Sequence, residues 1–144
     1  FGKAIASVGG YIICDSIIRD YLINKMRPLI FSTALPPISM AWSDFIFNKV
    51  LSMQQQRQHL AEISQYLQQA VIAKGFSSPS SSHIIPIILG ESQAAIEKAR
   101  YVQQQGFYAM PVRPPTVPQN SSRLRISLTA LVQKNELQQL VECL

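Results

Sequence analysis

Residues 38–74 contain neither glycine nor proline, and they are bounded by Pro36-Pro37 on one side and Gly75 on the other. Within that stretch Leu51, Leu60, Ile63, Leu67, Ala70 and Val71 fall close to one helical face, with Gln, Arg and Glu on the others. A glycine just past the last periodic residue ends a helix, because it takes up the left-handed conformation at little cost. The pattern predicts one very long helix, or two in line. The runs Gln54-Gln55-Gln56 and Gln103-Gln104-Gln105 sit in helical patterns and read as solvated helix faces.

Shorter elements alternate on either side. Tyr11–Cys14, after Gly9-Gly10, reads as a buried strand. Asp15 and Ser16 offer N-caps for a helix through Met26 that ends before Pro28, and Leu29–Ser32 is the next strand. Beyond the polar loop 77–82, Ile84–Leu89 reads as a strand that Pro86 confines to a sheet edge or a bulge. Ser92 caps a helix over 93–105 that Gly106 closes; strands follow at 107–112 and 124–128, and a last helix starts at Lys134. The order predicts an α/β fold, with helices covering one face of a short, mainly antiparallel sheet.

Hydrophobic residues make up 47% of the 144 and charged residues 15%, which supplies a core and excludes a disordered chain. The net charge is +5, but the basic residues are scattered without interleaved aromatics. They read as a solvated surface, so no nucleic-acid partner is expected. The most apolar window, 29–47, is broken by Ser32, Thr33, Pro36, Pro37, Ser39, Ser43 and Asp44. No membrane-spanning helix of about 20 residues is expected there. Cys14 and Cys143 lack metal-ligand or CxxC spacing and stand in apolar surroundings. They read as buried, reduced thiols of a cytoplasmic protein, with no metal site.

Four segments offer chemistry. Lys3, between Gly2 and Ala4, is either a solvated lysine or an amine that a carbonyl compound can approach closely enough to form a Schiff base. Arg123 and Arg125, two apart on a strand, emerge on one face; they form either a carboxylate-binding pair or the charged face of an edge strand. The proline-rich run 113–118 either delivers Thr116 to a binding rim or simply connects two strands. Ser32 and Thr33, ahead of a helix, suit either a phosphate or a helix cap.

Phe1-Gly-Lys-Ala, Phe31-Ser-Thr-Ala-Leu-Pro-Pro, Arg113-Pro-Pro-Thr-Val-Pro and Arg123-Leu-Arg-Ile-Ser-Leu-Thr-Ala occur in this order along the chain. Together they resemble the α-oxoamine synthases, fold-type-I transferases dependent on pyridoxal 5′-phosphate (PLP). The resemblance runs from Phe1 to Leu144. It implies that Lys3 carries PLP as a Schiff base and later moves protons at the substrate α-carbon. It also implies that Thr33 reaches the PLP phosphate of a neighbouring subunit in a homodimer, that Arg125 binds the amino-acid carboxylate, and that Thr116 contacts substrate. Arg123 is left structural.

The Arg-Pro-Pro-Thr-Val-Pro loop points within the family to members that condense L-alanine with pimeloyl-CoA or pimeloyl-acyl carrier protein in biotin biosynthesis. Glycine-using members, or a non-catalytic domain that only binds a partner, are the alternatives. The family's aspartate that pairs with the pyridine nitrogen and its ring-stacking histidine lie upstream of Phe1. His59 and His83 fall outside the matched segments and read as solvated. The resemblance therefore implies the C-terminal part of a longer enzyme, inactive by itself. Residues 1–37 would end the PLP-binding large domain and 38–144 would form the small C-terminal domain. Apolar faces laid bare on the first forty residues would favour self-association or local disorder.

Overall fold

The computed structural model describes all of Phe1–Leu144. Its internal packing divides the chain into two compact units, Phe1–Gln54 and Gln55–Leu144.

The first unit holds three helices, α1 (Ser16–Lys25), α2 (Arg27–Ile30) and α3 (Pro37–Leu51). α1 begins where expected, with Asp15 at the cap position, although the Asp15 side chain makes no capping bond. The two strands expected here are absent. Tyr11–Cys14 is irregular and Ile13 is 86% exposed. Leu29 and Ile30 belong to α2, a single helical turn that Pro28 opens and the Phe31 N–H→Arg27 O bond (3.0 Å) closes. An apolar run becomes a strand only when another strand supplies its hydrogen bonds, and this unit contains none.

Polar contacts and one close approach order the start of the chain. The Ser7 and Ser43 hydroxyls are 2.8 Å apart, and Trp42 Nε1 donates to Ile5 O at 3.0 Å. Both tie residues 1–10 to α3. Packing divides the chain after α3, at Gln54. Gly9 has φ +91°, and a Cβ placed on it would stand 2.5 Å from Leu35 Cδ1.

The second unit contains α4 (Gln54–Ala73), β1 (Ile84–Gly90), α5 (Ser92–Gln104), β2 (Met110–Val112), β3 (Ser122–Ser127) and α6 (Lys134–Glu142). The long helical stretch is thus two helices. The break at Ser52-Met53 needs no glycine: the Ser52 hydroxyl donates to Lys49 O (2.8 Å), a local bond that competes with the helical ladder. Gly75, at φ +88°, closes α4 through Gly75 N–H→Ile72 O (2.9 Å) and Phe76 N–H→Val71 O (3.2 Å), as expected.

The sheet is antiparallel throughout, in the order β1-β3-β2. Pro86 accordingly lies on an edge strand, where its missing N–H costs no ladder bond. Ile85 and Ile87 of β1 and Leu124 and Ile126 of β3 point inward. They meet Ile63, Leu67 and Val71 of α4, Ala99 and Val102 of α5, and Leu137 and Leu140 of α6. One face of the sheet carries the helices, and this is the expected α/β arrangement.

Several details differ from expectation. Glu91, not Ser92, occupies the α5 cap position, and the Ser92 hydroxyl instead faces that of buried Ser122 at 3.3 Å. β2 is only three residues long, because Phe107 N–H→Val102 O (3.2 Å) and Gln103 Nε2→Ala109 O (2.8 Å) commit residues 107–109 to the end of α5. Neither thiol is fully buried: Cys14 is exposed, as the unit around it buries no side chain, and half-buried Cys143 donates to Gln139 O. His59 is not solvated; half-buried, its Nε2 lies 2.9 Å from Val132 O, linking α4 to the turn before α6. No helix is long and apolar enough to cross a membrane.

Two glycine substitutions separate backbone strain from steric conflict. Gly75→Ala meets open space and is expected to cost about 1 kcal/mol through its left-handed φ alone. Gly9→Ala adds displacement of Leu35 and is expected to cost more; in a Leu35→Ala background the excess should vanish. Thermal unfolding of the three variants measures this, and an excess that persists without the Leu35 side chain counts against the contact.

Candidate active site

In the first unit, Lys3 sits in a tight turn. Ala6 N–H→Lys3 O (2.8 Å) and Ser7 N–H→Phe1 O (3.2 Å) close it, with Ala6 at φ +49°. The turn consumes the Lys3 carbonyl and leaves its side chain exposed and unpaired, between two residues too small to crowd it. Lys3 lines an open cleft of about 690 Å³ with Phe1, Tyr11, Phe47 and Val50. The Phe1 and Tyr11 rings are 5.5 Å apart at their centroids, so one wall is aromatic. A primary amine without a partner, on a residue that lines a roomy apolar cleft, can condense with an aldehyde without first breaking an ion pair.

Thr33 lies in the irregular segment between α2 and α3 and is exposed. It caps nothing: the α3 cap position is Pro36, and no side chain bonds there. Its hydroxyl is free for an external group. The Gly9–Leu35 approach and the Trp42–Ile5 bond fasten this segment and α3 to the turn that carries Lys3.

In the second unit, Arg125 lies on β3 opposite Pro86 of β1 and Met110 of β2. Because Leu124 and Ile126 are buried, Arg123, Arg125 and Ser127 project from the other face. β3 is the central strand, so the two arginines are no edge-strand guard against aggregation. They differ from one another. Arg123 Nε donates to Ser121 O at 2.9 Å, whereas the exposed Arg125 guanidinium has no partner in the chain. The neighbouring outward positions are Ile84, Pro86, Ile88, Met110 and Val112, without a carboxylate among them. An unneutralised planar cation among apolar neighbours suits a carboxylate held through two parallel hydrogen bonds.

Thr116 ends a turn closed by Thr116 N–H→Arg113 O (3.0 Å), in which the Pro114–Pro115 bond is cis. The turn directly follows β2, and the Thr116 side chain is exposed. Each unit thus carries half of the residues singled out in the sequence: Lys3 and Thr33 in one, Thr116 and Arg125 in the other. The His59 contact had no sequence signal, since its acceptor is a backbone carbonyl far along the chain.

The model of the family described as aminotransferase class I and II matches residues 1–144. An 8-amino-7-oxononanoate synthase of Haemophilus ducreyi is 52% identical over 145 aligned residues, covering all of this chain and 38% of its own length. The chain thus spans well under half of the curated relatives it matches. Among solved structures, an 8-amino-7-oxononanoate synthase from Francisella tularensis superposes with a TM-score of 0.85 at 26% identity, over 99% of this chain and 42% of its own. A serine palmitoyltransferase of Sphingomonas wittichii superposes with a TM-score of 0.87 at 27% identity, over 99% of this chain and 37% of its own. The agreement runs through sequence and fold alike, from the Lys3 turn to α6: the chain belongs to the aminotransferase class I and II family.

Proposed function

We propose that these residues are the C-terminal part of a PLP-dependent 8-amino-7-oxononanoate synthase, which condenses L-alanine with a pimeloyl thioester and releases CO₂ and the thiol carrier. The observation that carries the reading is the 52% identity to a synthase of that name along the entire chain. Residues 1–37 are read as the end of the cofactor-binding domain and 38–144 as the small C-terminal domain. The activity is that of the longer protein, acting in the cytoplasm as a homodimer, with no nucleic-acid or membrane partner.

The residues present fit the cofactor. Lys3 offers an unpaired amine and lines an open cleft, and Thr33 offers a hydroxyl that caps no helix. When bound, PLP supplies an electron sink for charge developing at the substrate α-carbon. Lys3 would be its covalent anchor and would hold and move the proton at that carbon. Thr33 would donate a hydrogen bond to the cofactor phosphate of the neighbouring subunit. Arg125 receives the alanine carboxylate in its guanidinium fork and so orients the α-carbon bonds. Thr116, on its turn, bounds the substrate at the rim.

A second reading within the family rests on the serine palmitoyltransferase fold match, which is as good as that to the synthase. It extends to the glycine-using 2-amino-3-ketobutyrate CoA ligases and 5-aminolevulinate synthases. Alanine, glycine and serine assayed as co-substrates of the full-length enzyme separate these readings. Alanine is expected to be preferred by at least tenfold in kcat/KM, the scale on which a pocket senses one methyl group. A preference for glycine or serine overturns the synthase assignment.

Two substitutions test the roles. Lys3→Ala should abolish turnover and the covalent cofactor adduct, read as loss of the cofactor's mass on the reduced protein; an adduct that survives rules out Lys3 as the anchor. Arg125→Ala should raise the KM for the amino acid by about a hundredfold, as expected for lost hydrogen bonds to a charged group, and leave PLP content unchanged. Unchanged amino-acid affinity in that variant removes Arg125 from the carboxylate.

A further inference from the structure

The two arginines of β3 differ in what fixes their direction. Arg123 Nε donates to Ser121 O at 2.9 Å, so a hydrogen bond orients its guanidinium. Arg125 projects from the same open face, and its guanidinium has neither a hydrogen bond nor an ion pair in the chain. A long side chain with an unbonded head loses much rotamer entropy when a ligand fixes it. A fork that must meet a carboxylate through two parallel hydrogen bonds is therefore costly to use unless its stem is already confined.

The sheet register supplies that confinement. Arg125 sits on the central strand, with Pro86 of β1 directly opposite on one side and Met110 of β2 on the other. Residues paired in this way point to the same face with Cβ atoms about 5 Å apart, within reach of an arginine stem. The two flanks are unlike. Pro86 presents a short, rigid ring, whereas Met110 is unbranched and long enough to lie along the methylenes of the stem. Met110 is 48% exposed and takes no part in the buried core, so core packing does not account for it.

The backbone of Met110 is itself fixed. Ala109, just before it, is fully buried, and its carbonyl accepts from Gln103 Nε2 at 2.8 Å. Pro111, just after it, pairs with Leu124, whose side chain is fully buried. An adaptable apolar side chain thus stands on an anchored backbone, opposite a cation that nothing else in the chain orients.

We propose that Met110 is a positioning residue for Arg125. Its side chain packs along the arginine stem, with the Pro86 ring on the far side, and holds the guanidinium fork outward for an amino-acid carboxylate. This inference rests on the reading of Arg125 as the carboxylate-binding residue and extends it to the side chain that orients it.

Amino-acid binding to the full-length holoenzyme tests it, read as the KM for alanine and as the calorimetric Kd for alanine without thioester. Met110→Ala is expected to weaken both about fivefold, the scale of one rotamer-rich side chain left unordered. The KM for the thioester and the PLP content should stay unchanged. Met110→Leu keeps an apolar side chain of similar volume and should hold alanine affinity within about twofold of the parent. Met110→Val suits a strand but is too short to lie along the stem, so it reads the same loss if the alanine variant fails to fold. In an Arg125→Ala background, Met110→Ala should add nothing. Normal alanine affinity in Met110→Ala and Met110→Val, or a loss that is the same with and without Arg125, overturns the proposal and leaves Arg125 on the carboxylate. Unchanged affinity in Arg125→Ala itself overturns the carboxylate reading and the proposal together.

Discussion

Strand β3 is hydrogen-bonded along both edges, to β1 and to β2, and this double pairing governs the second unit. A strand held on both sides cannot rotate about its axis, so its side chains alternate strictly between two faces. Burying Leu124 and Ile126 against α4, α5 and α6 forces Arg125 onto the open face. The cost of placing Leu124 in water, about 2 kcal/mol, therefore also keeps the guanidinium presented outward. Core and candidate site are two consequences of one register.

The first unit is built differently. None of its residues is buried, and Ile13, Ile17, Phe31 and Ile38 are among the large apolar side chains that stand in solvent. What gives the Lys3 turn its shape is local: backbone bonds within residues 1–7, serine hydroxyls shared with α3, and the approach of Leu35 to Gly9. Such order needs little apolar burial, and large apolar side chains of the unit remain exposed. The amine of Lys3 and the hydroxyl of Thr33 remain uncommitted within that frame.

The two cations of the Arg-Leu-Arg segment show how neighbouring residues part in role. Arg123 is tied by its Nε to Ser121 O, whereas Arg125 has only Pro86 and Met110 opposite it. A guanidinium already engaged with a carbonyl has fewer donors for a ligand, while a free one keeps its whole fork. The motif spacing alone treats them as equals.

Much was legible in the sequence because it depends on local chemistry. Gly75 and Gly106 end helices through their own backbone freedom, Pro86 confines β1 to an edge through its missing N–H, and the alternation in 124–128 sorts core from surface. The motifs containing Lys3, Thr33, Thr116 and Arg125 also stand in the sequence, and the family match spans all of them. Tertiary structure alone decided whatever needs a distant partner. Tyr11–Cys14 and Leu29–Ser32 have the composition of strands but find no strand to pair with; His59 bonds a carbonyl at Val132; and Arg57 lines a cleft with His83. Hydrogen-bond partners brought close only by folding leave no trace in local composition, so such features emerge only when the chain packs.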